Sequence, residues 1–273
     1  MLPDPALVAD PPPLVDAHCH LFLSDYESDL PEVLLRAKEA GVLAVVNSGL
    51  DAATSLKALS LAEGRQELAA TAGWHPHDAE KCQKEDLLEL ERVAQSPGIV
   101  ALGEIGLDFY RLHSPAKTQE RVFAELLDLA AQLNLPVVVH TREAFKETMA
   151  ILKPRRAALS RVLIHCFTGS WAEAQAYASL GCHFSIPGVL TFPKSTELRA
   201  TVARIPRDLL LMETDGPYLA PVPRRGKRNE PAFLTHSLQA LAETIGLSPL
   251  ETARLTAQNA IRFFGLPTQG PAQ

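Results

Sequence analysis

No uninterrupted apolar stretch in this chain approaches the roughly 20 residues needed to cross a bilayer, so a membrane-spanning role is not expected. Cysteine pairs at metal-binding or redox spacing are missing as well. Cys19, Cys82, Cys166 and Cys182 lie far apart, and the N-terminus lacks a basic segment followed by an apolar run. Together these point away from a secreted disulfide framework and toward a reduced, cytoplasmic protein. No Gly-x-Gly-x-x-Gly follows the first apolar strand, which argues against a dinucleotide-binding sheet. Positive charge is in deficit: 26 Lys and Arg face 32 Asp and Glu, for a net charge of −6. Broad electrostatic attraction to nucleic acid is therefore disfavoured, and any phosphate recognition has to be local.

What the 273 residues do contain is an ordinary globular composition, 47% hydrophobic and 21% charged, with no second compositional zone. Residues 1–13 carry Pro3, Pro5, Pro11, Pro12 and Pro13 and read as an ill-ordered lead-in. Residues 14–266 read as one domain, followed by a flexible tail over 267–273. Within that domain, short apolar runs alternate with segments of helical period eight times. The runs are led by Leu14-Val15, Leu43 to Asn47, Leu68 to Gly73, Ile99 to Leu102, Val137 to Val139, Arg161 to Ile164, Cys182 to Ile186 and Leu209 to Met212. The strongest helical pattern runs from Pro115 to Leu133, with Val122, Phe123, Leu126, Leu127, Ala130 and Leu133 on one face. Ser248-Pro249-Leu250-Glu251 specifies a helix start: an N-cap serine, proline at the first helical position and glutamate at N3. Strands that are near-continuous Val, Ile, Leu and Ala, alternating with helices over short connections, predict a closed parallel (β/α)8 TIM barrel. An open doubly wound α/β sheet is the alternative.

A parallel barrel gathers the C-terminal ends of its strands at one face, where active sites are built. Asp16-Ala17-His18-Cys19-His20 ends the first run, and residues two apart on a strand share a face, so His18 and His20 can reach one point. Glu104 follows the fourth run, His140 the fifth, His165 the sixth and Asp215 the eighth. Four imidazoles and two carboxylates suit zinc, manganese, iron or magnesium; calcium is a poor fit to so many nitrogens. A carboxylate such as Glu104 can bridge two ions, and two divalent ions (Mg²⁺, Mn²⁺ or Zn²⁺) at such a site suit phosphoester hydrolysis. Asp215 would then hold a metal and orient or deprotonate the attacking water.

The motifs Asp16-Ala17-His18-Cys19-His20, Gly73-Trp74-His75-Pro76-His77, Gly103-Glu104-Ile105-Gly106-Leu107-Asp108, His140-Thr141-Arg142-Glu143-Ala144, His165-Cys166-Phe167-Thr168-Gly169, Glu213-Thr214-Asp215-Gly216-Pro217-Tyr218-Leu219 and Arg225-Gly226-Lys227-Arg228-Asn229-Glu230-Pro231 follow one another along the chain. In this order they resemble those of the TatD family of metal-dependent deoxyribonucleases, over residues 14 to 266. Trp74, Thr141 and Glu143 depart mildly from the family pattern. The resemblance implies a barrel of the amidohydrolase superfamily and a divalent-metal hydrolase acting on DNA, typically trimming single strands from the 3′ end. It also implies His18, His20, Glu104, His140, His165 and Asp215 as metal ligands. A metal-dependent hydrolase of esters or amides, such as D-aminoacyl-tRNA or a small molecule, is the alternative function, since fold and ligands do not fix substrate.

For the substrate, expected to be single-stranded DNA, His75 and His77 stand at the end of the third run and Arg142 two residues past His140. Arg224, Arg225, Lys227 and Arg228 concentrate positive charge after the eighth run, where barrels often bind phosphate. Trp74, Phe109, Tyr110 and Tyr218 are candidates for base stacking. Cys19 and Cys166 are expected to point away from the ligands beside them. His113, His183 and His236 lie outside the motifs.

Overall fold

The computed structural model describes residues 1–6 and 10–268. Its strands are β1 (Leu14–Cys19), β2 (Val42–Ser48), β3 (Leu68–Ala72), β4 (Ile99–Asp108), β5 (Val137–Arg142), β6 (Val162–Ile164), β7 (His183–Ile186) and β8 (Leu210–Met212). Each pairs in parallel with the next, in sequence order. The circle is completed just past β8, where Asp215 N donates to His18 O at 2.9 Å and His20 N to Gly216 O at 2.8 Å. The Asp16 carboxylate reinforces this seam by accepting from Thr214 N at 2.9 Å and Thr214 Oγ1 at 2.6 Å. An open sheet has no such seam, so the fold is a nearly closed (β/α)8 barrel.

Around it run α1 (Leu30–Glu39), α2 (Ala52–Ala62), α3 (Lys84–Ala94), α4 (Ala116–Leu133), α5 (Phe145–Arg155), α6 (Trp171–Ser179), α7 (Thr196–Val202), α8 (Leu234–Ile245) and α9 (Pro249–Phe264). Helix α4 buries Val122, Phe123, Leu126, Leu127 and Ala130 from the face its sequence period marks. Each such Leu or Phe contributes about 1.5–3 kcal/mol by leaving water. Helix α9 opens on the Ser248–Glu251 capping box and stops at Gly265, whose φ of +67° is the left-handed conformation that ends helices.

Buried side chains divide into two sets. Leu14, Val45, Leu102, Val139, Ile164 and Met212 face outward into the shell between strands and helices. Val15, Ala17, Ala44, Val46, Ala69, Ala101, Val138, Leu163 and Leu211 fill the barrel interior, plugged below by Ala257, Ala260, Phe263 and Phe264 of α9. Leu2 belongs to this lower cluster. Its N–H donates to Pro267 O at 2.7 Å, and it bridges to Thr268, so the start of the proline-rich lead-in is placed against the barrel base. Residues 7–9 of that lead-in, and the tail beyond Thr268, lie outside the described residues.

Two irregularities decide what the upper interior holds. Between Asp16 and Cys19 the register against β2 advances three residues on β1 for two on its partner, from Val45 to Asn47. Between Leu102 and Ile105 of β4 the same happens against Val137 and Val139. One extra residue reverses the in–out alternation beyond it. Ala17 and His18 therefore both lie on the inner side, and Glu104, which strict alternation from Leu102 would send outward, enters the barrel mouth. Strand β4 accordingly extends to Asp108 and β5 to Arg142, beyond the ends at Leu102 and Val139 that the apolar runs suggest.

Candidate metal centre

Above the apolar plug, the inner ends of β1, β4, β5 and β6 and the segment after β8 bring His18, His20, Glu104, His140, His165 and Asp215 together. Glu104 stands in the middle. One carboxylate oxygen, Oε2, lies 3.2 Å from His18 Nε2 and 3.6 Å from His20 Nε2. The other, Oε1, lies 2.7 Å from His140 Nδ1, 2.8 Å from His165 Nε2 and 3.3 Å from His75 Nε2. Asp215 Oδ1 joins the first group, 3.5 Å from His20 Nε2 and 3.8 Å from His18 Nε2, and the two imidazole nitrogens are 3.2 Å apart. His140 Nδ1 and His165 Nε2, in the second group, are also 3.2 Å apart. The six ligands expected from the sequence thus form two clusters sharing one carboxylate.

The outer contacts of these rings turn one nitrogen of each toward the centre. His20 Nδ1 donates to Ser48 O at 2.8 Å, which leaves Nε2 of the neutral ring as a bare acceptor facing two carboxylates. His18 Nδ1 is paired with Ser48 Oγ at 3.0 Å. His140 Nε2 faces Asp108 Oδ2 at 3.3 Å, and His165 Nδ1 faces Glu213 Oε2 at 3.6 Å. Ring–carboxylate and ring–carbonyl pairs of this kind set the tautomer of metal-binding histidines. Donor separations of 3.2 to 3.8 Å in the first cluster bracket the edge, about 3.3 Å, of a tetrahedron with arms of about 2.0–2.1 Å. Converging acceptors at that spacing fit a divalent cation.

Burial and mutual charge compete across the centre. Burial pushes His18 down, with His165 stacked beside it adding to the effect. It takes His75 down to about 4. At His20, His140 and His165 burial acts in the same direction, but the neighbouring carboxylates outweigh it and raise all three. Burial would raise Glu104, yet the imidazoles of His165, His75 and His18 and the His140 hydrogen bond hold it well below the usual carboxylate range. Asp215 is held down likewise, by His20, His18 and His165 against burial.

Over the cluster opens a cavity of about 520 Å³. His75, His77, Arg142, Tyr218 and Asp215 line it; Arg225 does not. Arg225 instead lies over the Phe192 ring at 4.4 Å, in the loop beyond the rim. Arg228 and Arg36 are taken by carboxylates. Arg228 makes paired bonds of 2.7 and 2.8 Å to Asp29, and Arg36 bonds of 2.8 and 2.7 Å to Glu230, so these cations hold the loop after β8 onto α1. Trp74 is buried and its Nε1 donates to Asp78 O at 2.9 Å, which removes it from the stacking candidates. Phe109 packs on the core. Cys19 is buried outward as expected, whereas Cys166, at φ +48°, turns to line the cavity. Of the histidines outside the motifs, His113 meets the His77 ring at 4.6 Å, His183 packs on Phe263 and His236 on Phe233.

Sequence reasoning passed over Ser48, Asp108 and Glu213. Glu213 is fully buried, accepts from Ser185 Oγ at 2.5 Å and backs His165. Its position two past Leu211, an interior residue of β8, is the signal that could have exposed it. Asp108, four residues past Glu104, accepts from His77 Nε2 at 3.0 Å and from Arg111 N at 2.8 Å.

Residues 15–265 match the family model described as TatD related DNase. The chain is 40% identical over 259 residues to "3′-5′ ssDNA/RNA exonuclease TatD" of Erwinia amylovora, covering 93% of this chain and 100% of that protein. It is 38% identical over 251 residues to "Uncharacterized metal-dependent hydrolase YabD" of Bacillus subtilis, covering 92% and 98% respectively. Among solved structures, the TatD homolog YjjV of Escherichia coli superposes with a TM-score of 0.88 at 30% identity, over 93% of this chain and 98% of that one. With the barrel, the clustered imidazoles and carboxylates and a match across nearly the whole chain, the protein belongs to the TatD-related DNase family of hydrolases.

Proposed function

We propose that this chain hydrolyses phosphodiester bonds of single-stranded DNA from the 3′ end, using two divalent ions (Mg²⁺, Mn²⁺ or Zn²⁺) that His18, His20, Glu104, His140, His165 and Asp215 would hold. The observation that carries this reading is the division of Glu104 between two ligand sets, Oε2 toward His18, His20 and Asp215, Oε1 toward His140 and His165. Relatives named as ssDNA/RNA exonucleases at about 40% identity support the substrate class. Ions bound there supply positive charge to a phosphoryl oxygen and make water acidic enough to deprotonate near neutral pH.

The protein's own groups do the rest. Asp215, kept ionised by the imidazoles around it, faces the cavity and takes the proton of the attacking water. His75 Nδ1 accepts the His77 backbone N–H at 3.2 Å, so its neutral ring carries the proton on Nε2. That N–H faces Glu104 Oε1 at 3.3 Å and orients the shared carboxylate. His77, held by Asp108, and Arg142, with its planar fork, bind the phosphate from the same side. Four unpaired cysteines support the cytoplasmic setting, and among the described residues no helix is long and apolar enough to cross a membrane.

Purified protein with Mg²⁺ or Mn²⁺ is expected to shorten a 5′-labelled single strand one nucleotide at a time, and Glu104→Ala to abolish this. Equal shortening by the variant would assign the activity to a contaminant. Turnover of lactones or D-aminoacyl-tRNA without any nucleolysis would overturn the nuclease reading. An RNA strand run in parallel decides whether a 2′-hydroxyl is accepted.

A further inference from the structure

Of the arginines around the mouth and the loop after β8 that lie over aromatic rings, Arg142 and Arg225 sit closest to theirs, ahead of Arg111, Arg224 and Arg228. Arg142 lies over the Tyr110 ring at 4.0 Å, on the β4–β5 side of the cavity it lines. Arg225 lies over the Phe192 ring at 4.4 Å, beyond the β7–β8 side. Neither guanidinium has a carboxylate partner or a side-chain hydrogen bond among the described residues, in contrast to Arg36 and Arg228 nearby. A stacked guanidinium keeps its in-plane N–H donors free, and its ring partner restricts the rotamers it would otherwise lose on binding.

The two positions are not equivalent. Arg142 borders a cavity of finite size, about 520 Å³, fit for a terminal nucleotide. Arg225 lies outside that cavity. The surface leading toward it is joined to the rim: Val189 and Leu219 line the cavity, and Val222 N donates to Thr191 Oγ1 at 2.8 Å, tying the loop after β8 to the loop that carries Phe192. Along this loop Tyr218, Leu219 and Val222 are 53%, 39% and 38% exposed, apolar surface on which bases can lie. A terminal nucleotide needs a pocket; a strand of indefinite length needs an open track.

Resting on the nuclease reading above, we propose that Arg225 on Phe192, with Tyr218 and Leu219 before it, is a second subsite for the backbone of single-stranded nucleic acid. It binds a phosphate several nucleotides upstream of the cleaved bond, while Arg142 serves the terminal one. The subsite makes the enzyme favour long strands over short ones without touching the chemistry.

The test is the ratio of kcat/KM for a 12-nucleotide strand to that for a dinucleotide, alongside equilibrium binding of the 12-mer in EDTA. Arg225→Ala is expected to lower the ratio about five- to tenfold, through KM, as for one lost phosphate contact. Its salt dependence for the 12-mer should flatten by about 0.7 in log–log slope. Arg225→Lys keeps the charge without the planar stack and should fall between. Arg142→Ala is expected to lower turnover of both substrates together and leave the ratio near that of the wild type. An unaltered ratio in Arg225→Ala, or equal losses on both substrates, overturns the subsite while wild-type cleavage keeps the nuclease reading. Wild-type protein that cleaves neither strand yet binds the 12-mer through Arg225 overturns the nuclease reading and keeps the subsite.

Discussion

Ser48 contributes two atoms to two different imidazoles: its carbonyl accepts from His20 Nδ1 and its hydroxyl pairs with His18 Nδ1. A small hydroxyl residue at the end of an apolar strand carries no obvious chemical signal, yet here its carbonyl fixes the His20 tautomer while its hydroxyl holds the His18 ring in place. Glu213 faces His165 Nδ1 from beneath at 3.6 Å, and its burial is costly: Oε1 has no hydrogen-bond partner, and neither has His165 Nδ1. A cation on His165 Nε2 would draw the Nδ1 proton toward Glu213 and satisfy that ring nitrogen. Glu213→Gln, which keeps shape but removes charge, is therefore expected to weaken divalent-metal affinity about 10- to 100-fold. Competition against a fluorescent chelator measures this directly, and an affinity matching the wild type would show that Glu213 only fills space.

Strands β1 and β4 explain why part of the centre was legible before the structure and part was not. His140 and His165 follow plain alternation from Val138 and Leu163, so strand-end position alone places them inward, whereas Asp215 lies past the end of β8 at φ +57°. Glu104 does not follow from Leu102 by that rule. It reaches the mouth because β4 carries one residue more than β5 between Leu102 and Ile105, and no hydrophobic pattern announces a bulge. The residues at the bulge are chosen for space. A side chain on Gly103 would place its Cβ 2.5 Å from Val138 Cβ and 2.8 Å from Val138 O, and one on Gly73 would strike the Gly103–Glu104 backbone. Gly103→Ala is accordingly expected to cost about 2–3 kcal/mol by overpacking and to shift Glu104 away from its imidazoles. Denaturant unfolding, with metal titration of the folded variant, checks both parts; a loss within about 0.5 kcal/mol would be ordinary for a surface site and would refute the close-approach account. Arg225 is the complementary case. Charge clustering marked its loop, but only the geometry reveals that Asp29 neutralises Arg228 and Arg36 pairs with Glu230 while Arg225 stays stacked outside the cavity.

The barrel as a whole keeps chemistry and stability at opposite ends. Its eightfold alternation and convergent rim followed from period and strand-end residues; the packing at the base did not, because His183 and Leu2 carry no pattern that assigns them there. His183 opens β7 and meets the Phe263 ring of α9 at 5.1 Å, with Nδ1 buried and unpartnered. Burial pushes this imidazole down to about 4, and Arg161, Arg156 and Arg262 add to the effect against the single opposing charge of Asp208. The folded protein therefore resists a proton that the unfolded chain accepts near the ordinary value of about 6.5. The resulting stability is present above about pH 6.5 and is lost as pH falls toward 4, since the unfolded state then binds more protons. His183→Gln, which cannot charge, should lose less melting temperature than the wild type between pH 7 and pH 5. The expected difference is about 2–4 °C, corresponding to about 1 kcal/mol for a chain of this size. Parallel melting curves at the two pH values, taken in EDTA so that metal binding at the far end of the barrel does not contribute, would refute this role for His183 if both proteins lost the same number of degrees.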